Sequence, residues 1–311
     1  MTAPPKIPTM YFIGVSTSQS SSARMFPAWA EILGLGECAL VGLDFKVRDE
    51  PRRFREVVEF IKSQPLALGA LVTTHKMDLF AAARDCFDEL DSLAAEMGEV
   101  SSIFKRDGRL CGKTSDPYAG GLALEAFLPA ERWSRQPEAE VLVLGAGGSA
   151  LALVWHLLQA EASANTIHVA NRSAPRLEHL RTMADRWGGE ERVKTHLAPG
   201  SDQSDALLAA LPPGSMVVNA TGLGKDAPGS PLSDAASFPE DGIVWEFNYR
   251  GELVFLEQAK RQQEARDLLI EDGWRYFVIG WSQVVGDVFD VEIPTSGGRF
   301  DELSRAAAAV R

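Results

Sequence analysis

The sequence is poor in the residues that build disulfide frameworks and metal sites. It has three cysteines, Cys38, Cys86 and Cys111, in 311 residues. An odd number of widely spaced cysteines is typical of reduced thiols in a cytoplasmic protein, and we interpret all three as small buried side chains. Its five histidines show no paired ligand spacing, so the sequence gives no support for a metal site.

Runs of basic residues are also missing, and the formal net charge is −12. Such a chain repels polyanions, so we expect no nucleic-acid partner. The uncharged run 141–160 has the length of a membrane span, but its glycines, Ser149, His156 and Gln159 argue against one. The N-terminal stretch MTAPPKIPTM lacks the apolar core of a signal peptide, and we expect a cytoplasmic protein without a membrane partner.

What is present is the composition of a globular protein, with 45% hydrophobic and 24% charged residues. The length predicts two domains. Strand patterns alternate with helical patterns in both halves, which predicts an α/β fold. We place a first α/β domain at 1–116, completed by about 281–311, and a second domain at 117–280. A hairpin is predicted near 99–110, where Asp107-Gly108 provides a tight turn.

The second half contains the stretch VLVLGAGGSA, in which an apolar strand runs into a glycine turn and a helix. Gly145 permits the sharp turn, and Gly147 lets the backbone approach a pyrophosphate. The alternating pattern that follows predicts a doubly wound Rossmann domain that binds a dinucleotide, with an ordinary tight turn as the alternative. The candidate phosphate-binding residues are Gly145, Ala146, Gly147, Gly148 and Ser149.

The end of the next strand indicates which dinucleotide is bound. An acidic residue at this position favours NAD, but here the strand ends in Asn171, Arg172 and Ser173, with Arg176 one helical turn later. Guanidinium and hydroxyl groups favour a 2′-phosphate, so we predict NADP, with NAD as the lesser option. The alternative is that Arg172 is only a solvated charge at a helix start.

Candidate chemistry lies in the first half. A loop rich in serine follows the first strand, Lys76 follows the third strand, and Asp116 lies at the domain crossover. A lysine whose pKa is lowered by partial burial can take a hydroxyl proton during hydride transfer, with an aspartate to orient it. The alternative for Lys76 alone is a solvated charge.

Seven segments follow one another along the chain: the serine-rich loop, VTTHK, GKTSD, GAGGSA, NRS, NATGLG and GWSQVVGDVF. Taken together, they resemble the shikimate and quinate dehydrogenases over about residues 10 to 290. The resemblance implies an N-terminal substrate domain, an NADP domain and C-terminal helices that return to the first domain. It also implies reversible oxidation of a ring hydroxyl on a cyclic polyol carboxylate.

The resemblance also implies roles for individual residues. Ser20 and Ser22 would hold the substrate carboxylate, and Lys76 would be the catalytic lysine with Asp116 as its partner. Further substrate contacts would come from Thr73, Ser101, Tyr249 and Gln283, and further cofactor contacts from Ala220 and Thr221 in NATGLG.

Several positions depart from the family pattern. Leu71 and Ser101 stand where the family has asparagines, Thr114 and Lys113 replace the asparagine and aspartate usual in the crossover motif, and Pro117 replaces a glycine. Lost amides mean lost hydrogen bonds to ring hydroxyls, so we predict that the chain keeps the redox machinery but prefers a substrate other than shikimate, one with fewer or rearranged hydroxyls. Two alternatives are an NADP-binding regulatory or sensor protein with little turnover and a dehydrogenase that shares only the nucleotide domain. Monomer and homodimer both remain open.

Overall fold

The computed structural model describes residues 3–129, 131–225 and 227–311. The first two residues of the stretch MTAPPKIPTM therefore lie outside the described residues. The chain divides into two compact units, the first made of Met1–Asp116 and Val278–Arg311 and the second of Pro117–Phe277. Both units combine helices with a sheet, which confirms the α/β fold class.

The first unit is built on a mixed sheet. Its strands are β1 (Thr9–Gly14), β2 (Ala39–Asp44), β3 (Ala67–Val72), β4 (Glu89–Leu90), β5 (Ser102–Arg106) and β6 (Arg109–Lys113). They lie in the order β2-β1-β3-β5-β6-β4. The first three strands are parallel, as their helical crossovers require, and β5 runs antiparallel to both β3 and β6. The two-residue strand β4 has too little sequence pattern to be predicted.

Helices flank this sheet. They are α1 (Ser21–Leu33), α2 (Pro51–Ser63), α3 (Lys76–Ala83) and α4 (Ser92–Met97), followed by α5 (Asp116–Phe127), whose first residue belongs to this unit. The C-terminal segment adds the later part of α12 (Trp274–Phe289) and α13 (Gly298–Ala308). Trp29 of α1 is fully buried and donates its Nε1 hydrogen to the Leu303 oxygen of α13, at 2.9 Å. The C-terminal helix therefore packs on the first unit, as predicted.

The predicted hairpin is present as β5 and β6. Asp107 and Gly108 both have positive φ angles, of 50° and 74°, the backbone that a two-residue turn of type I′ requires. This turn reverses the chain and delivers it to the segment Thr114 to Asp116, at the start of α5.

The second unit is a parallel sheet with the order β12-β11-β10-β7-β8-β9. Its strands are β7 (Val141–Leu144), β8 (Ile167–Asn171), β9 (Val193–Leu197), β10 (Met216–Asn219), β11 (Ile243–Glu246) and β12 (Leu269–Glu271). Its remaining helices are α6 (Arg132–Arg135), α7 (Gly148–Gln159), α8 (Ala174–Arg186), α9 (Ser201–Ala209), α10 (Val254–Lys260) and α11 (Gln263–Arg266). This order is that of a doubly wound dinucleotide fold, and it reverses direction between β7 and β10.

The apolar run 141–160 folds into β7 and α7 within this sheet and its helical layer. All four residues of β7 are buried, as expected for a central parallel strand. Among the described helices, none has the length and apolar character needed to cross a membrane.

Candidate functional site

Lys76 and Asp116 meet in the first unit. Lys76 is the first residue of α3, directly after the turn that follows β3, and Asp116 is the first residue of α5. Lys76 Nζ donates a hydrogen bond to Asp116 Oδ2. The two side chains are only 14% and 15% exposed, so this is a partly buried ion pair.

The surroundings raise the pKa of Lys76. Burial alone would lower it, but the negative charges of Asp116 and Glu99 and the hydrogen bond to Asp116 outweigh the burial. The expectation of a lowered pKa is therefore wrong, because two carboxyl groups lie near the ammonium group. At neutral pH Lys76 therefore carries its proton.

Glu99 is a third ionisable group at this place, and sequence reasoning missed it. Its side chain is fully buried, and its Oε1 accepts a hydrogen bond of 2.8 Å from Thr114 Oγ1. Burial raises the pKa of Glu99. The available signal was an acidic residue inside the otherwise uncharged run 97–104.

The segment in front of Asp116 is fixed by hydroxyl contacts. Ser101 Oγ accepts a hydrogen bond of 2.8 Å from the Ser115 backbone and lies 3.1 Å from Ser115 Oγ. Ser101 is buried. Its hydroxyl thus connects the start of β5 to the residue that precedes Asp116.

The other predicted substrate residues of the first unit form hydrogen bonds within that unit. Ser20 caps α1, and its Oγ accepts hydrogen bonds from the Ser22 hydroxyl at 2.7 Å and the Ser22 backbone at 3.3 Å. Thr73 donates its hydroxyl to the Ile13 oxygen, at 3.3 Å, at the end of β1. Gln283 of α12 donates its amide to the Ile293 oxygen, at 3.1 Å. The structure thus pairs Ser20 with Ser22 as it pairs Lys76 with Asp116.

Tyr249 belongs to the second unit. Its ring stacks on Phe277 with a centroid distance of 4.0 Å and meets Trp274 edge-on at 5.7 Å. It is thus part of an aromatic cluster after β11.

The glycine turn has a backbone that only glycine adopts comfortably. Gly145 has a φ of +115°, and a Cβ there would lie 2.7 Å from the Ala220 oxygen. Gly147 precedes α7 with an extended backbone, and a Cβ there would contact only Arg176 Nη1, at 3.8 Å. The N-terminus of α7 therefore presents its backbone N–H groups beside a guanidinium group, an arrangement that fits a phosphate.

A second set of donors follows β8. Arg172 and Arg176 are exposed, and neither forms an ion pair with any residue that the structure describes. Ser173 is the N-cap residue of α8 but makes no side-chain capping bond, and Asn171 Nδ2 donates to the Ser173 oxygen at 3.4 Å. Two unpaired guanidinium groups beside a hydroxyl fit the 2′-phosphate of NADP.

The loop after β10 is held by a buried carboxyl group, Glu246, which sequence reasoning also missed. Glu246 accepts hydrogen bonds from Asn219 Nδ2 at 2.7 Å and from the Asn248 backbone at 2.8 Å. Asn219 Oδ1 in turn accepts from the Thr221 backbone and hydroxyl, at 3.0 and 2.6 Å. Glu246 therefore fixes the loop that carries Ala220 and Thr221 beside Gly145.

The pH dependence of stability should reveal Glu246. Burial raises its pKa from 4.5 to about 7 despite the hydrogen bonds that favour the charged form. Between these values the native state binds more protons than the unfolded state, so this group lowers the free energy of unfolding as pH rises from about 4.5 to 7. The shift corresponds to about 3 kcal/mol. The free energy of unfolding should fall more between about pH 5 and pH 8 for the unchanged protein than for Glu246→Gln, which lacks the titrating group. A difference between the two proteins that is the same at both pH values would contradict this prediction.

Two of the three cysteines and one of the five histidines, His75, are buried. Cys86 and Cys111 are buried, as predicted, but the interpretation was wrong for Cys38, which is partly exposed because it precedes the edge strand β2. His168 Nδ1 lies 2.9 Å from His196 Nε2 on neighbouring strands. In the described parts of the chain, no group of three acidic, cysteine or histidine side chains is arranged to hold a metal ion.

Comparison with known proteins places the chain in a family. No family model matches it. It is 31% identical over 258 residues to shikimate dehydrogenase (NADP(+)) of Brucella ovis, which covers 81% of this chain and 79% of that protein. It is 34% identical over 216 residues to the enzyme of the same name from Symbiobacterium thermophilum, covering 68% of each.

The fold has solved counterparts. The structure of quinate dehydrogenase from Corynebacterium glutamicum, in complex with NAD, matches with a TM-score of 0.72 at 19% identity and covers 97% of this chain and 99% of that one. At this identity the match establishes the fold alone. The family follows from the sequence identity of 31–34% over most of the chain: the chain belongs to the shikimate dehydrogenase family of oxidoreductases.

Proposed function

We propose that this chain is an NADP-dependent oxidoreductase that interconverts a ring hydroxyl and a ketone on a cyclic polyol carboxylate. The substrate class is shikimate and its 3-dehydro ketone, or a close analogue such as quinate. The observation that carries this proposal is the partly buried contact of Lys76 with Asp116. It lies in a chain related over most of its length to shikimate dehydrogenases.

Proton transfer is the task of Lys76 in this proposal. The chemistry that NADP supplies when bound is hydride transfer to and from the reacting carbon. In the direction of reduction, the Lys76 ammonium donates its proton to the ketone oxygen as it becomes a hydroxyl. In the direction of oxidation, neutral Lys76 accepts that proton. Asp116 holds the lysine side chain in place and stabilises its charged form.

The second unit would hold the cofactor, and the first unit would supply all of the proposed substrate residues except Tyr249, which belongs to the second unit. The turn and the α7 N-terminus would take the pyrophosphate, and the residues after β8 would take the 2′-phosphate. The residues proposed for the cofactor are Gly145, Ala146, Gly147, Gly148, Ser149, Asn171, Arg172, Ser173, Arg176, Ala220 and Thr221. Those proposed for the substrate are Ser20, Ser22, Thr73, Ser101, Tyr249 and Gln283.

Substrate preference should differ from that of a shikimate-specific enzyme. Where the family has asparagines, this chain has the buried apolar side chain of Leu71 and the hydroxyl of Ser101, which is engaged with Ser115. Thr114 likewise donates its hydroxyl to Glu99. These groups offer fewer free hydrogen bonds to ring hydroxyls, so we propose an analogue with fewer or rearranged hydroxyls.

The structure and the sequence similarity disfavour the two alternative functions. A sensor without turnover has no need for a Lys76–Asp116 pair, which is present. A dehydrogenase that shares only the nucleotide domain is contradicted, because the similarity covers 81% of the chain. A cytoplasmic location is part of the proposal and is supported by three free cysteines. The proposal also includes a small-molecule substrate and a protein that is a monomer or a homodimer.

A substrate screen tests the proposal. Purified protein would be mixed with NADP or NAD and with shikimate, quinate and analogues that lack or rearrange single hydroxyls, and reduced nicotinamide would be followed by its absorbance. We expect oxidation with NADP and a better substrate than shikimate in the panel. Shikimate turnover equal to that of every analogue would contradict the substrate proposal, and binding of NADP without any oxidation would contradict the enzymatic one.

A further inference from the structure

Glu99 lies behind the Lys76–Asp116 pair on a separate segment between α4 and β5. The backbone N–H of the next residue, Val100, donates to the Lys76 oxygen at 3.4 Å, which fixes Glu99 beside the start of α3. Thr114, two residues before Asp116, donates its hydroxyl to Glu99 Oε1. Glu99 is thus linked to both residues of the catalytic pair. Its neighbour Val100 bonds to the backbone of Lys76, and its own carboxyl group bonds to Thr114, which lies two residues before Asp116.

Packing does not account for a carboxyl group at this place. The Glu99 side chain is fully buried, and its Oε2 has no hydrogen-bond partner among the described residues. A buried acid with an unpaired oxygen destabilises a fold, whereas a hydrocarbon side chain would fill the space without that penalty. Buried ionisable groups with a shifted pKa are concentrated at catalytic and binding sites.

We propose that Glu99 is a positioning residue that sets the protonation of Lys76 by its own charge, without touching the substrate. The inference rests on the proposed function, in which Lys76 transfers the proton. Because Glu99 is fully buried, it does not contact the substrate. The hydrogen bonds of Glu99 with Thr114 and of Val100 with Lys76 hold it close to the catalytic pair.

The electrostatics give the proposal a direction. The groups whose charges act on Glu99 are Lys76 of α3 and Asp116 of α5, and those that act on Lys76 are Asp116 and Glu99. Burial raises the pKa of Glu99, so the group is neutral at low pH and becomes charged at higher pH. Once charged, it raises the pKa of Lys76 further. The lysine therefore keeps its proton to higher pH than the pair with Asp116 alone would allow.

Removing the charge should move the pH profile. In Glu99→Gln, the amide oxygen can still accept from Thr114, but the negative charge is lost. We expect the alkaline rise of the oxidation rate to move to lower pH, with a roughly threefold or greater gain at a fixed pH on the rise, because one charge close to Lys76 is gone. The fall of the reduction rate should move by the same amount.

Two controls separate charge from packing. Glu99→Asp keeps the charge and should leave the profile near that of the unchanged protein. Val100→Ala shortens the buried neighbour of Glu99 without a change of charge. It should lower the stability of the protein but leave unchanged the pH at which the oxidation rate rises and the reduction rate falls. A profile that moves in Val100→Ala as it does in Glu99→Gln would overturn the proposal.

The titration of Lys76 can also be read without turnover. NMR of isotopically labelled lysine side chains in the cofactor-free protein would follow Lys76, with its signal identified by its loss in Lys76→Met. A lower titration midpoint in Glu99→Gln supports the proposal, and an unchanged midpoint overturns it. Because this measurement needs no substrate, it stands even if the substrate screen shows no oxidation, which would count against the proposed function instead.

Discussion

Replacing Lys76 by Met should lower kcat by about 10²- to 10⁴-fold in both directions, the usual contribution of a positioned proton donor or acceptor. Methionine has nearly the length of lysine but no proton to give, and Asp116 then loses the cation that it contacts. The residues proposed to hold NADP lie in the second unit. We therefore expect NADPH binding, measured by fluorescence titration, to stay unchanged while turnover is lost.

A second lysine of the first unit provides the matched control. Lys62 also pairs with an aspartate, Asp88, at 2.7 Å, but at an exposed position on α2. Exposed pairs contribute little to stability, so Lys62→Met should retain turnover. If Lys76→Met retained it equally, Lys76 would not be the proton-transfer group. Loss of turnover in both variants would indicate damage to the fold of the unit.

The raised pKa of Lys76 also fixes the direction in which pH acts. Because the ammonium form persists at neutral pH, reduction can proceed there without a prior change of protonation. Oxidation needs the neutral amine, so its rate should rise with pH into the alkaline range. The Lys76→Met variant should lose this rise along with its activity.

Much of the fold could be predicted because apolar periodicity carries it. The strands β7 and β8 are mostly buried runs with a helical pattern between them, and in the sequence the first is recognisable before the glycine turn and the second by its end at Asn171. The short strands β4 and β12 could not be predicted, because two or three residues show no period. Their pairing depends on neighbours that are distant in sequence, such as β6 for β4.

The candidate site shows the same division between local and distant information. Lys76 and Asp116 could be proposed because each follows a recognisable strand or motif, and parallel strands bring their carboxyl ends to one edge. The direction of the Lys76 pKa could not be predicted, because it depends on how far the charges of Asp116 and Glu99 offset the burial, and Glu99 lies 23 residues away in sequence. Glu246 was missed for a similar reason, since its partner Asn219 lies on the neighbouring strand, 27 residues away in sequence.

Replacing Arg172 and Arg176 by Ala should remove most of the selectivity for NADP. Hydrogen bonds to charged groups contribute about 1.5–3 kcal/mol each, so each substitution should raise the Kd and KM for NADP by roughly 10- to 100-fold. NAD has no 2′-phosphate, so its constants should change little. Arg176 also borders the turn at Gly147; its loss should therefore weaken NAD somewhat more than the loss of Arg172 does.

Arg181 of the same helix α8 is the control for charge. It pairs with Glu178 at 2.7 Å and lies one further turn along the helix, so Arg181→Ala removes one positive charge without a phosphate contact. Its NADP and NAD constants should both stay near those of the unchanged protein, whereas Arg172→Ala separates them. If Arg172→Ala and Arg176→Ala weakened both cofactors equally, the 2′-phosphate would have another recognition site. NADP selectivity would then have to come from elsewhere than the end of β8.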